Sequence, residues 1–537
     1  MLLLVIVGGV ILRTYGLYGR SMWFDEATSW RGIHFAFVEM IDRTAQDNHA
    51  PLFFVLLRVW AAAFGESIIA LRSFSLVFSA VAMLGVYLFT VEAMAMGRRP
   101  ADGGARADSR ARCIGLVATA LFAVSLYQIR LAWEIRMYSL GTALAMFSSW
   151  LLLRALTARP QRGLLWTLYA IVALMFAYTH YSALFSLFAQ SFFALAFLLS
   201  GTCEGTQGVP GPIFAATKPS LVPELGQSPT YCFADLKAAL KDVRFRWLAF
   251  ADAGIAAGWS AWLPVFLAQR RRVAGGWHDT PFSVENVPGI CYEMFFHPDV
   301  HGRALCYALI VAALCGIVVV AMLWKGGAGQ WCVACLAVVP LALISLVSSV
   351  SSNLMIARYM AFLQPFLLIA IAAALWRIRA EMVRFLVAYG LISAGLLLHV
   401  DFVDALEIAN RPGASAAAAY IDAERRAGEP VVACSPLLML PTLFHSRERE
   451  GWHVYSDRPQ IPFYAGGSVM MDGETFFDDD MDAVRAKRAW VITSSGDWAR
   501  WGLYIPPKWT KIAEQRFPEV YAFQNDVKVL CYVIPEG

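Results

Sequence analysis

The chain has 537 residues, of which 58% are hydrophobic and 16% charged, with a mean hydropathy of +0.55. Soluble domains average roughly 45–50% and about 25%, so an ordinary soluble protein is excluded. Lys plus Arg number 44 against 40 Asp plus Glu, a net charge of +4 that is too slight and scattered for nucleic-acid binding. An aromatic content of 13% and only 10 Cys also exclude a disordered chain or a disulfide scaffold.

Charge is unevenly spread. Residues 401–537 carry 20 acidic and 14 basic residues, whereas 1–400 carry 20 and 30. The first part is about half as charged per residue. This predicts a polytopic transmembrane domain over 1–400, with a first outer loop at 19–69, followed by a soluble α/β domain over 401–537.

In chain order, apolar stretches suited to bilayer crossing centre on 1–18, 70–91, 113–127, 137–153, 164–178, 182–199, 247–267, 304–324, 331–350, 359–376 and 385–400. That predicts about eleven transmembrane helices. The first is read as a retained span, because it lacks a charged leader and a small-residue cleavage site, and its abrupt start points to residues upstream. Pro51 to Phe64 is apolar but short and contains Arg58, which fits an interfacial or re-entrant helix. With that segment left out, the basic loops at 98–112, 154–162, 218–246, Lys325 and 377–384 all fall on one side. The loops holding Asp25, Glu134, His180 and Arg358, and the C-terminal domain, then face outward. Arg270, Arg271 and Arg272 break the pattern, as ligands of something anionic or as interfacial anchors.

The stretch from Tyr231 to Trp247 reads as an amphipathic basic helix on an inner leaflet. Cys332 and Cys335 lie inside an apolar span and read as small hydrophobes. In the outer domain a helix is predicted over 414–426 and strands over 430–434, 488–493 and 527–534. Cys434 and Cys531 are available for a disulfide if they meet, and Asp478, Asp479 and Asp480 read as a solvated acidic loop.

Several strings follow one another in a telling order: Met22-Trp23-Phe24-Asp25-Glu26-Ala27, Asp47-Asn48-His49-Ala50-Pro51-Leu52-Phe53, and Gly65-Glu66-Ser67 to Leu71-Arg72-Ser73. Further on stand Trp133-Glu134-Ile135-Arg136-Met137-Tyr138-Ser139-Leu140, Tyr178-Thr179-His180-Tyr181 and Ala357-Arg358-Tyr359-Met360 to Pro365. Together they resemble the C-fold (GT-C) polytopic membrane glycosyltransferases, specifically the protein O-mannosyltransferase and aminoarabinose transferase superfamily. The departure is Ala50-Pro51, where that family has a double proline. The resemblance implies a transferase that moves a sugar from a polyprenyl-phosphate carrier to an extracytoplasmic acceptor, be it a cell-envelope glycan, lipid or protein, with inversion. The Ala- and Arg-rich composition favours a bacterial inner membrane and an undecaprenyl carrier, and the basic-loop pattern puts the catalytic loops on the outer face.

That chemistry needs a base for the acceptor hydroxyl and cations for the departing phosphate. Asp25 is assigned as general base, with Glu26 as its orienting or charge-balancing partner. Arg72 enters an apolar span, where a cation either snorkels or pairs with an anion, and is assigned with Arg136 and Arg358 to the donor phosphate. His49, Glu134, Tyr138, His180 and Tyr359 are assigned to substrate binding. No cofactor is assigned, the lipid-linked sugar being a donor substrate, and His49 and His180 with Glu134 and Glu26 would suit a divalent metal if they converge. A transporter is the main alternative from another class, but no internal repeat supports it and the charges lie on outer loops. The missing Trp-Trp-Asp string argues against an oligosaccharyltransferase.

Overall fold

In the computed structural model, residues 1–535 are described apart from 16, 97–103, 159–161, 202–241, 274–280, 303, 325, 498 and 522. The expected amphipathic helix at 231–247 lies largely outside the described residues. The chain divides into two compact units. The first comprises 1–12, 75–132 and 137–399; the second comprises 13–74, 133–136 and 400–537.

The first unit is helical. Among the described residues, six helices are long and apolar enough to cross a membrane, beginning at Ile68, Tyr138, Ala183, Leu305, Ala328 and Glu381. Two further pairs are bent: Asp108–Val124 with Leu126–Ala132 by 62°, and Val243–Ser260 with Leu263–Arg272 by 60°. Leu2–Thr14, Gly163–Ala177 and Gln364–Leu375 are apolar but shorter. All eleven apolar stretches are therefore helical, but not all are full-length single spans. The chain is an integral membrane protein.

The breaks have local causes. At the first, the Gln128 amide donates to the Ser125 hydroxyl (3.4 Å), capping the new helix, and Gln364 Nε2 holds the same oxygen at 2.9 Å. At the second, Pro264 sits in the first turn of Leu263–Val273, where its missing N–H costs nothing. Gly141 allows Tyr138–Thr157 to lie against Phe362, whose ring a Cβ would overlap. Cys332 and Cys335 lie on the helix Ala328–Val350 as free thiols, and Arg270 to Arg272 end the helix Leu263–Val273.

The second unit is built on a six-stranded sheet: β1 (Val431–Ala433), β2 (Trp452–Tyr455), β3 (Thr475–Phe476), β4 (Arg488–Thr493), β5 (Thr510–Pro518) and β6 (Asp526–Val533). The order is β3-β2-β1-β4-β6-β5. β1 is parallel to β2 and β4, β2 is parallel to β3, and β6 runs antiparallel to β4 and β5. The parallel centre is fully buried at Val431, Val432 and Ala433, as an uninterrupted apolar strand requires. Val432, Ala489, Val491, Met481 and Trp509 form one core. The helix Gly413–Glu424 packs against β5 and β6. The three expected strands correspond to β1, β4 and β6. Asp478, Asp479 and Asp480 do not form a loop but the first turn of the helix Asp478–Ala483, where acidic side chains suit the exposed amides. Cys434 and Cys531 are separate buried thiols.

Residues 19–69, expected as the first outer loop, belong to this second unit. Their helices are Phe24–Gly32, Phe37–Gln46 and Leu52–Phe64. The last ends at Gly65 (φ 86°) and, at 13 residues, is about 20 Å long, short of the roughly 30 Å hydrocarbon core. The helix Phe24–Gly32 packs against the helix Pro436–His445. Gly466 (φ 94°) lies close to both Phe24 and Pro436, in a left-handed turn that glycine enters without strain.

Candidate active site

The candidate residues fall into two groups, one in each unit. In the second unit, Asp25 and Glu26 occupy the first turn of Phe24–Gly32 and point to different surroundings. Glu26 is wholly buried and accepts Arg72 Nε on Oε1 (2.8 Å) and Arg72 Nη2 on Oε2 (2.7 Å). Oε1 also accepts the Ile135 amide at 3.2 Å, and Oε2 the Trp23 amide at 3.3 Å. Glu26 thus ties Trp23, Arg72 and Ile135 together.

Arg72, expected at the donor phosphate, has its guanidinium engaged within the protein. It is fully buried, and its remaining N–H groups donate to the carbonyls of Leu17 (3.0 Å), Arg20 (3.3 Å) and Ser21 (3.0 Å). A guanidinium has five N–H groups, so all are engaged within the protein. The sequence signal, a cation at the edge of an apolar span, was sound; its anion is Glu26.

Asp25 retains 15% side-chain exposure, with Arg136 Nε 3.9 Å from Oδ2. Arg136 is otherwise buried. Its Nη1 donates to the Asp25 carbonyl (3.4 Å) and the Ser29 hydroxyl (3.3 Å), and its Nη2 lies 2.8 Å from His49 Nε2. Asp25, Arg136 and His49 therefore form one cluster, with the half-buried Glu134 two residues before Arg136.

Asp47, in the same string as His49, was not assigned a role from sequence. It is buried, accepts the Asn48 amide (2.7 Å) and the Ser468 hydroxyl (3.2 Å), and feels the charges of Arg136 and Asp25. Burial, helped by the charge of Asp25, pushes its carboxyl up to about 6, against the lowering effect of Asn48, Arg136 and Ser468. Arg43 donates to the carbonyls of Ser468 (3.1 Å) and Met470 (3.0 Å), and Arg31 pairs with Glu474. The segment 31–43 is thereby bound to residues 468–474.

In the first unit, His180 lies 5.1 Å from the ring of Tyr359 and 5.9 Å from that of Tyr138. Its Nδ1 meets the Ser182 amide (3.1 Å) and hydroxyl (2.7 Å). Arg358 lies beside Tyr359 in a short 3-10 turn, Ala357–Met360, whose first carbonyl accepts the Tyr127 hydroxyl.

Two of the residues considered for a metal, Glu26 and His49, are engaged otherwise. Glu26 is saturated by Arg72 and backbone amides, and His49 faces the guanidinium of Arg136. Among the described residues, no group of three His, Cys, Asp or Glu is arranged to hold an ion.

Neither a family model nor a curated protein sequence matches this chain. Its structure is similar to that of ArnT from Cupriavidus metallidurans in the apo state, with a TM-score of 0.57 and 11% identity over 98% of this chain and 97% of that one. ArnT bound to undecaprenyl phosphate gives 0.53 and 10% over the same shares. At such identity the likeness is one of fold, and it agrees with the motifs that run through the first 400 residues. The fold of this chain is that of the C-type membrane glycosyltransferases.

Proposed function

We propose that this protein is a membrane glycosyltransferase that moves a sugar from a polyprenyl-phosphate carrier to an acceptor outside the cytoplasm, with Asp25 as general base. The observation that carries this reading is the division of labour in the acidic pair. Glu26 is fixed by Arg72 and two backbone amides, while Asp25 stays partly exposed beside Arg136 and His49. A buried, saturated carboxylate suits orientation; a partly exposed one, which a substrate hydroxyl can reach, suits proton acceptance. The fold it shares with ArnT, a protein whose structure is also known bound to undecaprenyl phosphate, supports the class of donor.

In this scheme the acceptor hydroxyl gives its proton to Asp25, and its oxygen lone pair forms the bond to the anomeric carbon. The bond from that carbon to the phosphate oxygen breaks, its electron pair leaving with the phosphate, and the configuration inverts. Arg136 and Arg358 stabilise the departing phosphate charge, since guanidinium forks match phosphate oxygens. Arg72 acts one step back, through Glu26. His49, Glu134, Tyr138, His180 and Tyr359 bind substrate. The protein resides in a bacterial inner membrane with its catalytic loops and residues 401–537 on the outer face.

The test is transfer of radiolabel from a panel of polyprenyl-phosphate sugars to envelope acceptors, in membranes carrying the wild type or Asp25→Asn. Folded Asp25→Asn should lose roughly 10²–10⁴ in rate. Full activity in that variant removes Asp25 as the base, and retention at the anomeric carbon would exclude the direct displacement.

A further inference from the structure

The segment that delivers Asp25 is held residue by residue from the C-terminal part of the second unit. The Ser21 carbonyl accepts the Tyr521 hydroxyl at 3.3 Å as well as Arg72 Nη2. The Trp23 ring stacks on Tyr521 at 5.9 Å. Between them Met22 is completely buried, and its amide donates to Nε2 of His445 at 3.0 Å. Met22 precedes the helix Phe24–Gly32, so no turn of that helix offers its amide a partner, and a buried N–H left unmade costs about 1–3 kcal/mol.

We infer that His445 is a positioning residue for Asp25, acting through the Met22 amide to fix the strand of chain that leads into the catalytic turn. The inference rests on the glycosyltransferase reading given above. Acceptance by Nε2 requires a neutral ring with its proton on Nδ1. Burial first, and the charge of Arg72 next, lower His445 to about 4, which keeps the ring neutral at physiological pH. The helix Pro436–His445 ends at this ring and packs along Phe24–Gly32, so the acceptor comes from a rigid element.

Two side chains separate the acceptor from the volume it fills. Leu at 445 occupies space without accepting, whereas the Gln amide oxygen reaches the Nε2 position. In the full-length protein in nanodiscs, His445→Leu should speed hydrogen exchange in a peptide covering 20–27. It should also lower kcat about ten- to hundred-fold, the scale expected for a misplaced catalytic group, with KM for the lipid-linked donor unchanged. His445→Gln should restore both. Should the Leu variant not fold, His445→Asn replaces it, because its oxygen falls short of Met22. Wild-type exchange or wild-type kcat in an active, folded non-accepting variant overturns the role of His445 alone. A wild type that transfers no sugar from any carrier overturns the glycosyltransferase reading, and with it the catalytic half of this inference, while the exchange measurement still decides whether His445 holds the segment.

Discussion

Arg72 and Glu26 form a fully buried, two-pronged ion pair, with 2.8 and 2.7 Å contacts and no exposure of either side chain. Removing one member leaves a buried charge without its counter-ion, at about 3–5 kcal/mol. Arg72→Ala and Glu26→Ala should therefore each lower the unfolding temperature on the order of 10 °C, given about 2–4 °C per kcal/mol for a unit of this size. The double replacement Arg72→Met with Glu26→Leu should recover part of that loss, read by thermal unfolding in detergent. Additive losses in the double variant would contradict the pairing.

Arg136 touches Asp25, Ser29 and His49 through separate nitrogens. Lysine keeps the charge but has no planar fork, so Arg136→Lys should fold normally and lose roughly ten- to hundred-fold in transfer, the equivalent of one charged hydrogen bond. Wild-type kinetics in that variant would remove Arg136 from the site.

Asp47 gives the second unit a pH signature. Its folded value of about 6 lies above the ordinary 3.8, so between those values the folded state holds a proton that the unfolded state has lost. Stability should consequently fall as pH rises from about 4 through 6, by about 3 kcal/mol in all, and then level off. Asp47→Asn should flatten that part of the profile in thermal unfolding at stepped pH. An unchanged slope would assign it to another group.

Cys434 and Cys531 are both buried, and burial pushes both thiols up. Maleimide should label neither until the second unit is unfolded, and electrophoretic mobility should be the same with and without reductant. Rapid labelling of the native protein would show that this part of the sheet opens.

The apolar stretches foretold the long helices of the first unit, because hydrophobic length is a local property, but not the short helices Asn286–Glu293 and Pro298–His301. Also foretold were β1, β4 and β6, short apolar runs bounded by turn residues. β5 escaped because its side chains are mostly exposed and mix polar with apolar, leaving no apolar alternation to read. The helix Pro436–His445 was hidden by its two prolines, one in the first turn and Pro441 within it. In the site, residue types marked Asp25, Glu26, Arg72 and Arg136, but not their partners. Nothing near Arg72 in sequence says that Glu26 and three carbonyls await it, and nothing near position 22 points to His445, 423 residues away.

The second unit is stitched from three stretches of chain, and contacts such as Arg20 with Tyr521 join residues 501 positions apart. Biosynthesis runs from the first stretch to the last, so the turn bearing Asp25 is made long before His445 and Tyr521 exist to hold it. Closing so wide a loop is a late and slow event in folding. A polypeptide unfinished at that point therefore has its acids in sequence but not in register, and the turn bearing Asp25 is held only once His445 and Tyr521 have been made.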